Sequence, residues 1–215
     1  MRRILRGFGW TMISLGAFTL YFLIYQLVGT NAVTGQAQAA LGDELAKEFA
    51  APASPGTSQG KIKEKPVAEG RAWARIRIPK INVNQVLVEG TGRDDLRKGP
   101  GHISTSKMPG DAGTFAVSGH RTTYGAPFFN LDKLKPGDQI LVQTKHAVYT
   151  YKMSKRKIVA PTEVSVLDDV RGANGKARPT IVLTTCHPKF SARQRMIIFG
   201  DLVSTKAAGK AATAA

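Results

Sequence analysis

The chain has 215 residues, room for one ordinary domain with extra segments or for two small ones. Lys and Arg outnumber Asp and Glu 31 to 15, and a hydrophobic content of 42% excludes a wholly disordered chain. A single cysteine, Cys186, excludes an intrachain disulfide framework and any four-cysteine metal site.

Arg2, Arg3 and Arg6 precede a stretch with no charged residue before Asp43. Within that stretch, residues 8–28 read FGWTMISLGAFTLYFLIYQLV. At about 1.5 Å per residue they span roughly 31 Å, the thickness of a bilayer core. Trp10 sits near one end, and Tyr21 and Tyr25 near the other, where interfacial aromatics belong. The flanking arginines predict residues 1–7 in the cytoplasm, 8–28 as a transmembrane anchor and the remainder outside the cell. A cleaved signal peptide is the competing reading, and Ala37-Gln38-Ala39 resembles a cleavage site. The apolar core, however, is longer than the roughly 7–15 residues such peptides use.

Residues 29–70 read as a linker. A short helix is expected over 36–51, where Leu41, Leu45 and Phe49 recur every four residues. The following APASPGTSQGKIKEKP is expected to be flexible. Residues 71–204 then form the folded domain, with 22 basic and ten acidic side chains, and 205–215 a disordered tail. A basic surface suits nucleic acid, anionic lipid or an anionic cell-wall polymer, and export makes nucleic acid the weakest of these.

Seven β-like runs are predicted in the domain: 73–79, 84–90, 113–119, 138–144, 147–153, 179–185 and 195–203. Short helical stretches are expected at Arg93–Lys98 and at 130–134. Seven or eight strands with few helices make an all-β closed barrel or sandwich.

Cys186 ends the apolar run from Ile181, and His187-Pro188 blocks continuation of the strand. A lone cysteine beside a hydrophobic strand is usually an inert buried thiol. A position at a strand terminus, and retention of an unpaired thiol in an exported chain, point instead to reactivity. A reactive thiol needs a nearby imidazole or guanidinium. His187 is adjacent and faces the other way, and His146 opens a strand without catalytic surroundings. His120 follows the strand GTFAVSG and is preferred to His102 in GPGHIS. Arg193 and Arg195 are the candidate cations. Asp168 and Asp169, without a ligand cluster, read as solvated charge, and no metal or cofactor is expected.

Leu183-x-Thr185-Cys186, with Arg195 nine residues on and Ser118-Gly119-His120-Arg121 upstream, resembles the sortase signature. That signature is T-L-x-T-C with a downstream arginine. Val182 stands where the family usually has Thr, a strand position of little chemical consequence. The resemblance covers roughly residues 73–204 and implies an eight-stranded barrel acting as a cysteine transpeptidase. It implies Cys186 as nucleophile, His120 as acid and base, and Arg195, rather than Arg193, as the oxyanion or substrate donor. Thr184, Thr185 and Tyr124 are expected to line the substrate groove.

The family's substrates are secreted proteins bearing a C-terminal LPxTG or LAxTG signal, cut between Thr and Gly and passed to an amine of peptidoglycan or of a pilin. GHRTTYGAPFFNLDKLKPGDQI and TTCHP are most similar to class E, which favours LAxTG. The pilin-polymerising class C is an alternative, although residues 50–72 lack the Asp-Pro of many class C lids. A cell-wall cysteine hydrolase is another. The Ser-x-Gly-Cys of L,D-transpeptidases does not occur.

Overall fold

A computed structural model describes residues 2–51 and 63–208. The apolar segment is helical, as α1 (Arg2–Ile24), and passes through one π-helical stretch (Tyr25–Gly29) into α2 (Thr30–Ala50). None of α1 is buried, and it is long and apolar enough to cross a membrane.

The strands are β1 (Ala72–Ile78), β2 (Val83–Glu89), β3 (Gly101–His102), β4 (Gly113–Ser118), β5 (Gln139–Thr144), β6 (Ala147–Val159), β7 (Pro179–His187) and β8 (Gln194–Ala207). One short helix, α3 (Arg93–Lys98), falls where it was expected, between β2 and β3. The strands close into a barrel in the order β1-β2-β3-β4-β7-β8-β6-β5.

Alternation along each strand explains the closure. In β1, Ile76 and Ile78 point into the barrel while Arg75 and Arg77 point out. Phe115, Val117, Ile181, Leu183, Met196 and Ile198 fill the same core from β4, β7 and β8. β4 and β7 pair in parallel and are buried on both faces, as their unbroken apolar runs require. Their outward residues, Ala116 and Val182, join Ile197 and Phe199 in a second cluster. Ile103, Val166 and Leu167 cover it.

Four features depart from the sequence expectations. β3, in GPGHIS, has only two residues, too few to show a period. β6 continues to Val159 because its charged second half, KRKIV, lies on the exposed side of a ladder with β8. β8 reaches Ala207, paired with Ala147, so the tail expected from 205 starts as strand; residues 209–215 lie outside the described residues. The linker is not free over 30–50. α2 starts six residues before the expected helix, and Leu41 and Leu45 pack on Ala72, Val86 and Val88.

Residues 52–62, the heart of the expected flexible stretch, lie outside the described residues. Glu64, just beyond them, is buried. Its carboxylate accepts from Thr144 Oγ1 at 2.5 Å and Tyr149 OH at 3.0 Å, and lies 3.0 Å from His146 Nδ1. His146 therefore serves this anchor. Burial beside Glu64 pushes the Tyr149 phenol far above its ordinary range.

Candidate active site

Three neighbouring strands set the site. β4 and β7 run parallel in register, ending with Ser118 beside Thr184. One step further, the Gly119 amide donates to the Thr184 carbonyl at 3.1 Å, and Thr185 Oγ1 donates to the Gly119 carbonyl at 2.7 Å. Gly119 is thus clamped from both sides, and His120 leaves the strand level with Cys186. On the other flank, β7 and β8 are antiparallel, and Cys186 lies directly opposite Arg195. His120, two residues past the end of β4, thus follows the strand beside β7, while Cys186 and Arg195 face each other across β7 and β8, so the three residues gather at one end of these strands.

Alternation fixes which way the site faces. Cys186 shares its face with Val182 and Thr184, and Arg195 with Ile197 and Phe199, all turned away from the barrel interior. Cys186, Thr184, Ser118, His120 and Arg195 are each partly exposed at the open end of the second apolar cluster. Arg193 lies beyond the last ladder pair, His187 with Gln194, and is exposed. Register sets Arg195, and not Arg193, opposite the thiol.

The His120 ring stacks on Tyr124, with centroids 5.0 Å apart. Burial, and then the Arg97 charge, lower its pKa below the ordinary imidazole value. Both causes favour the neutral ring, the form able to take a proton from a thiol. Arg195 Nη1 donates to the carbonyls of Ala192 at 2.9 Å and Gln194 at 3.0 Å, which fastens its guanidinium to the β7–β8 loop.

Thr184 and Thr185 separate in role. Thr184 faces outward with Cys186. Thr185 lies on the interior face, opposite Met196, and is 2% exposed, so it cannot line the groove. Its hydroxyl holds the histidine strand in place. Thr185→Val keeps the side chain's shape and removes that donor, leaving the Gly119 carbonyl unpaired. We expect kcat to fall about tenfold with a stability loss of about 1–3 kcal/mol, read by steady-state kinetics and thermal melts on the same samples.

His102 is not near this site in function. Its ring is buried against Trp73 and Phe115, with Nδ1 2.8 Å from Glu89 and Nε2 3.0 Å from Ser106 Oγ. Both nitrogens serve the barrel wall. Asp169 likewise has a structural partner, its carboxylate accepting the Thr114 amide at 2.9 Å.

Sequence reasoning passed over Arg121. The residue is 4% exposed, lying under the site with Nη1 3.3 Å from the Met196 sulfur and Nη2 2.7 Å from Asp132. Lys189 Nζ reaches the same carboxylate at 3.8 Å, and Arg156 donates to the Asp132 carbonyl at 2.7 Å. Burial lowers the Arg121 pKa, while Asp132 and Cys186 oppose that shift. Its position directly after His120 was the available signal.

The sequence and fold can now be set beside known proteins. A sortase-domain model matches residues 76–203. Sortase SrtE1 of Streptomyces coelicolor is 35% identical over 95% of this chain, which spans only 59% of that relative's length. Sortase D of Bacillus subtilis is 35% identical over 84% of this chain and 89% of its own. Among solved structures, sortase E1 from Streptomyces coelicolor with a tripeptide in the active site aligns with a TM-score of 0.60 at 35% identity, covering 65% of this chain and 94% of that one. SrtF from Corynebacterium diphtheriae aligns with a TM-score of 0.63 at 29% identity, covering 72% and 97%.

Proposed function

The chain belongs to the sortase family, whose members are cysteine transpeptidases, and from that premise we propose that it is a membrane-anchored housekeeping enzyme of class E type. It cleaves a C-terminal LAxTG or LPxTG signal of secreted proteins between Thr and Gly and joins the new carboxyl end to an amine of cell-wall peptidoglycan. Residues 8–28 anchor it, residues 1–7 face the cytoplasm and the domain from 71 onward works outside the cell. The observation that carries this reading is Cys186 opposite Arg195 on β7 and β8, with His120 two residues past the end of the neighbouring β4, beside an outward apolar cluster.

The chemistry follows from this arrangement. The Cys186 sulfur attacks the Thr carbonyl carbon as its proton passes to the neutral His120 ring. The carbonyl oxygen takes up negative charge, and the Arg195 guanidinium donates to it. Collapse breaks the C–N bond, His120 gives its proton to the departing Gly amine, and a thioester remains. An incoming amine attacks the thioester, His120 removes its proton and passes it to the departing sulfur, and Cys186 leaves as the thiol with His120 neutral again. Thr184, on the outward face, lies beside the scissile residue. Tyr124, stacked on His120, contacts the second signal position, where Ala replaces the larger Pro.

The test uses two fluorogenic peptides differing only as LAETG and LPETG, each with and without an added amine. A sortase of this class cleaves LAETG faster, by about 10- to 200-fold where one pocket contact decides, and yields the amine adduct. Preference for LPETG overturns the class. Cleavage with water as the sole acceptor favours the cysteine hydrolase.

The lowered His120 pKa gives a pH prediction with a definite sign. The working form is neutral imidazole, so activity falls as pH drops through the His120 pKa. Arg97 is one of the two causes holding that pKa down. Arg97→Gln removes its charge, so the acidic limb of the kcat/KM profile moves to higher pH. Added salt moves the wild-type limb the same way by screening this exposed charge.

A further inference from the structure

The roles given to Cys186, His120 and Arg195 leave one set of contacts unused, those of α2 with α3, with β2 and, through Thr30 and Asn31, with the loop that follows His120. Thr34 Oγ1 donates to the Arg97 carbonyl at 2.7 Å, and the Gly125 amide donates to Asn31 Oδ1 at 2.8 Å. The Tyr124 amide lies 3.4 Å from Thr30 Oγ1. One turn further along α2, Gln38 Nε2 donates to the carbonyls of Val86 at 3.1 Å and Lys98 at 2.9 Å, and Oε1 accepts the Val86 amide at 2.7 Å. These are built contacts: Thr30 and Thr34 are 5% and 2% exposed.

The loop they hold is one that needs holding. Tyr124 and Ala126 have φ of +51° and +43°, a left-handed conformation that L side chains keep only when their surroundings enforce it. Between them, Gly125 has φ +73°, and a Cβ there would stand 3.1 Å from Thr34 Cγ2, so glycine is what lets the helix approach. Tyr124 stacks on His120, and the Arg97 guanidinium sits 5.7 Å from the Tyr124 ring centroid. Helix, loop, Tyr124, Arg97 and imidazole thus form one contiguous assembly.

We propose that α2 is part of the active-site apparatus, with Asn31 and Thr34 as positioning residues that hold Tyr124 and Arg97 against His120 and so fix the imidazole beside Cys186. The proposal rests on His120 acting as the acid and base. Because α2 continues from the apolar helix with only a π-helical stretch between them, the element that sets the histidine is the one that would emerge from the membrane.

The experiment uses the full chain in lipid nanodiscs. Asn31→Ala with Thr34→Val, Thr34→Val alone, Thr34→Ser and His120→Ala are compared for kcat, KM, the pH profile of kcat/KM and melting temperature. Glu44→Gln serves as a control, breaking a 2.7 Å ion pair with Arg71 at the far end of the same helix. The double variant should lose about tenfold in kcat, short of the roughly 100-fold that a 1 Å misplacement can cost. Its acidic limb should move to higher pH as the ring loosens toward solvent.

Thr34→Ser should restore both, and Glu44→Gln should match wild type. Unchanged kcat and pH limb in the double variant, or an equal loss in Glu44→Gln, overturns the proposal while a dead His120→Ala leaves the catalytic reading standing. Full turnover by His120→Ala overturns both. Should the double variant melt early, the isosteric Thr34→Val against Thr34→Ser decides by the same outcomes.

Discussion

Cys186→Ala is expected to lower peptide cleavage by roughly a million-fold, the scale on which nucleophile removal acts in acyl-transfer enzymes, while the barrel stays folded. The two halves of that expectation have separate causes. In the proposed mechanism the thiol forms the covalent bond, and nothing beside it at the site can replace it, since Thr184 and Ser118 hydroxyls lie behind it along the strands. The sulfur also faces outward and is partly exposed, whereas the neighbouring core contacts come from Leu183 and Thr185 on the other face. Its loss therefore costs at most about 1 kcal/mol. Far-UV circular dichroism, thermal melting and turnover on one preparation check both halves. Appreciable cleavage by the alanine variant removes Cys186 from the mechanism.

Arg195→Ala is expected to reduce kcat by about 100- to 1,000-fold, the cost of removing one preorganised oxyanion donor. Among the described residues its recorded hydrogen bonds use Nη1 alone, so the rest of the planar fork can serve a substrate oxygen. Arg195→Lys should recover little, because an ammonium cannot hold the loop carbonyls and reach the substrate with one fixed geometry. Arg193→Ala is the matched comparison. It removes the same charge two residues away but off the ladder, and kcat should stay within about twofold, as exposed surface changes usually do. Equal losses in the two alanine variants would mean that only the general positive field matters.

The barrel was legible because its strands alternate cleanly. Ile76 and Ile78 against Arg75 and Arg77 announce an inward and an outward face, and the doubly apolar β4 and β7 announce the central pair. The site itself was legible as residue types but not as geometry. Nothing in the spacing of Cys186, Arg193 and Arg195 says which arginine stands opposite the thiol; the β7–β8 turn length decides that. Thr185 could have been placed correctly, since a strand that turns Cys186 outward turns its neighbour inward.

Other parts were hidden by their chemistry. Glu64 sits in a lysine-rich stretch that reads as solvent-exposed, and only the distant Thr144, His146 and Tyr149 reveal its burial. Arg121 is likewise buried through partners distant in the chain, Asp132 and Met196. α2 shows a weak apolar stripe, Leu41 and Leu45, but docks equally through Asn31, Thr34 and Gln38, polar residues whose partners lie 48 or more positions away.

The parallel pairing of β4 with β7 also governs when the thiol becomes dangerous to its surroundings. Gly119 and Thr185, the pair that brings His120 to Cys186, are 66 residues apart in the chain. Closing the chain over such a separation costs more entropy than closing the short β7–β8 hairpin that sets Arg195 opposite Cys186. Without the β4–β7 pairing no imidazole stands level with Cys186 to take its proton, whatever the hairpin does with Arg195. In the proposed mechanism, a chain in which β4 and β7 have not paired therefore lacks the base for its thiol. Competence to cut other proteins then depends on the parallel seam and not on the β7–β8 hairpin alone.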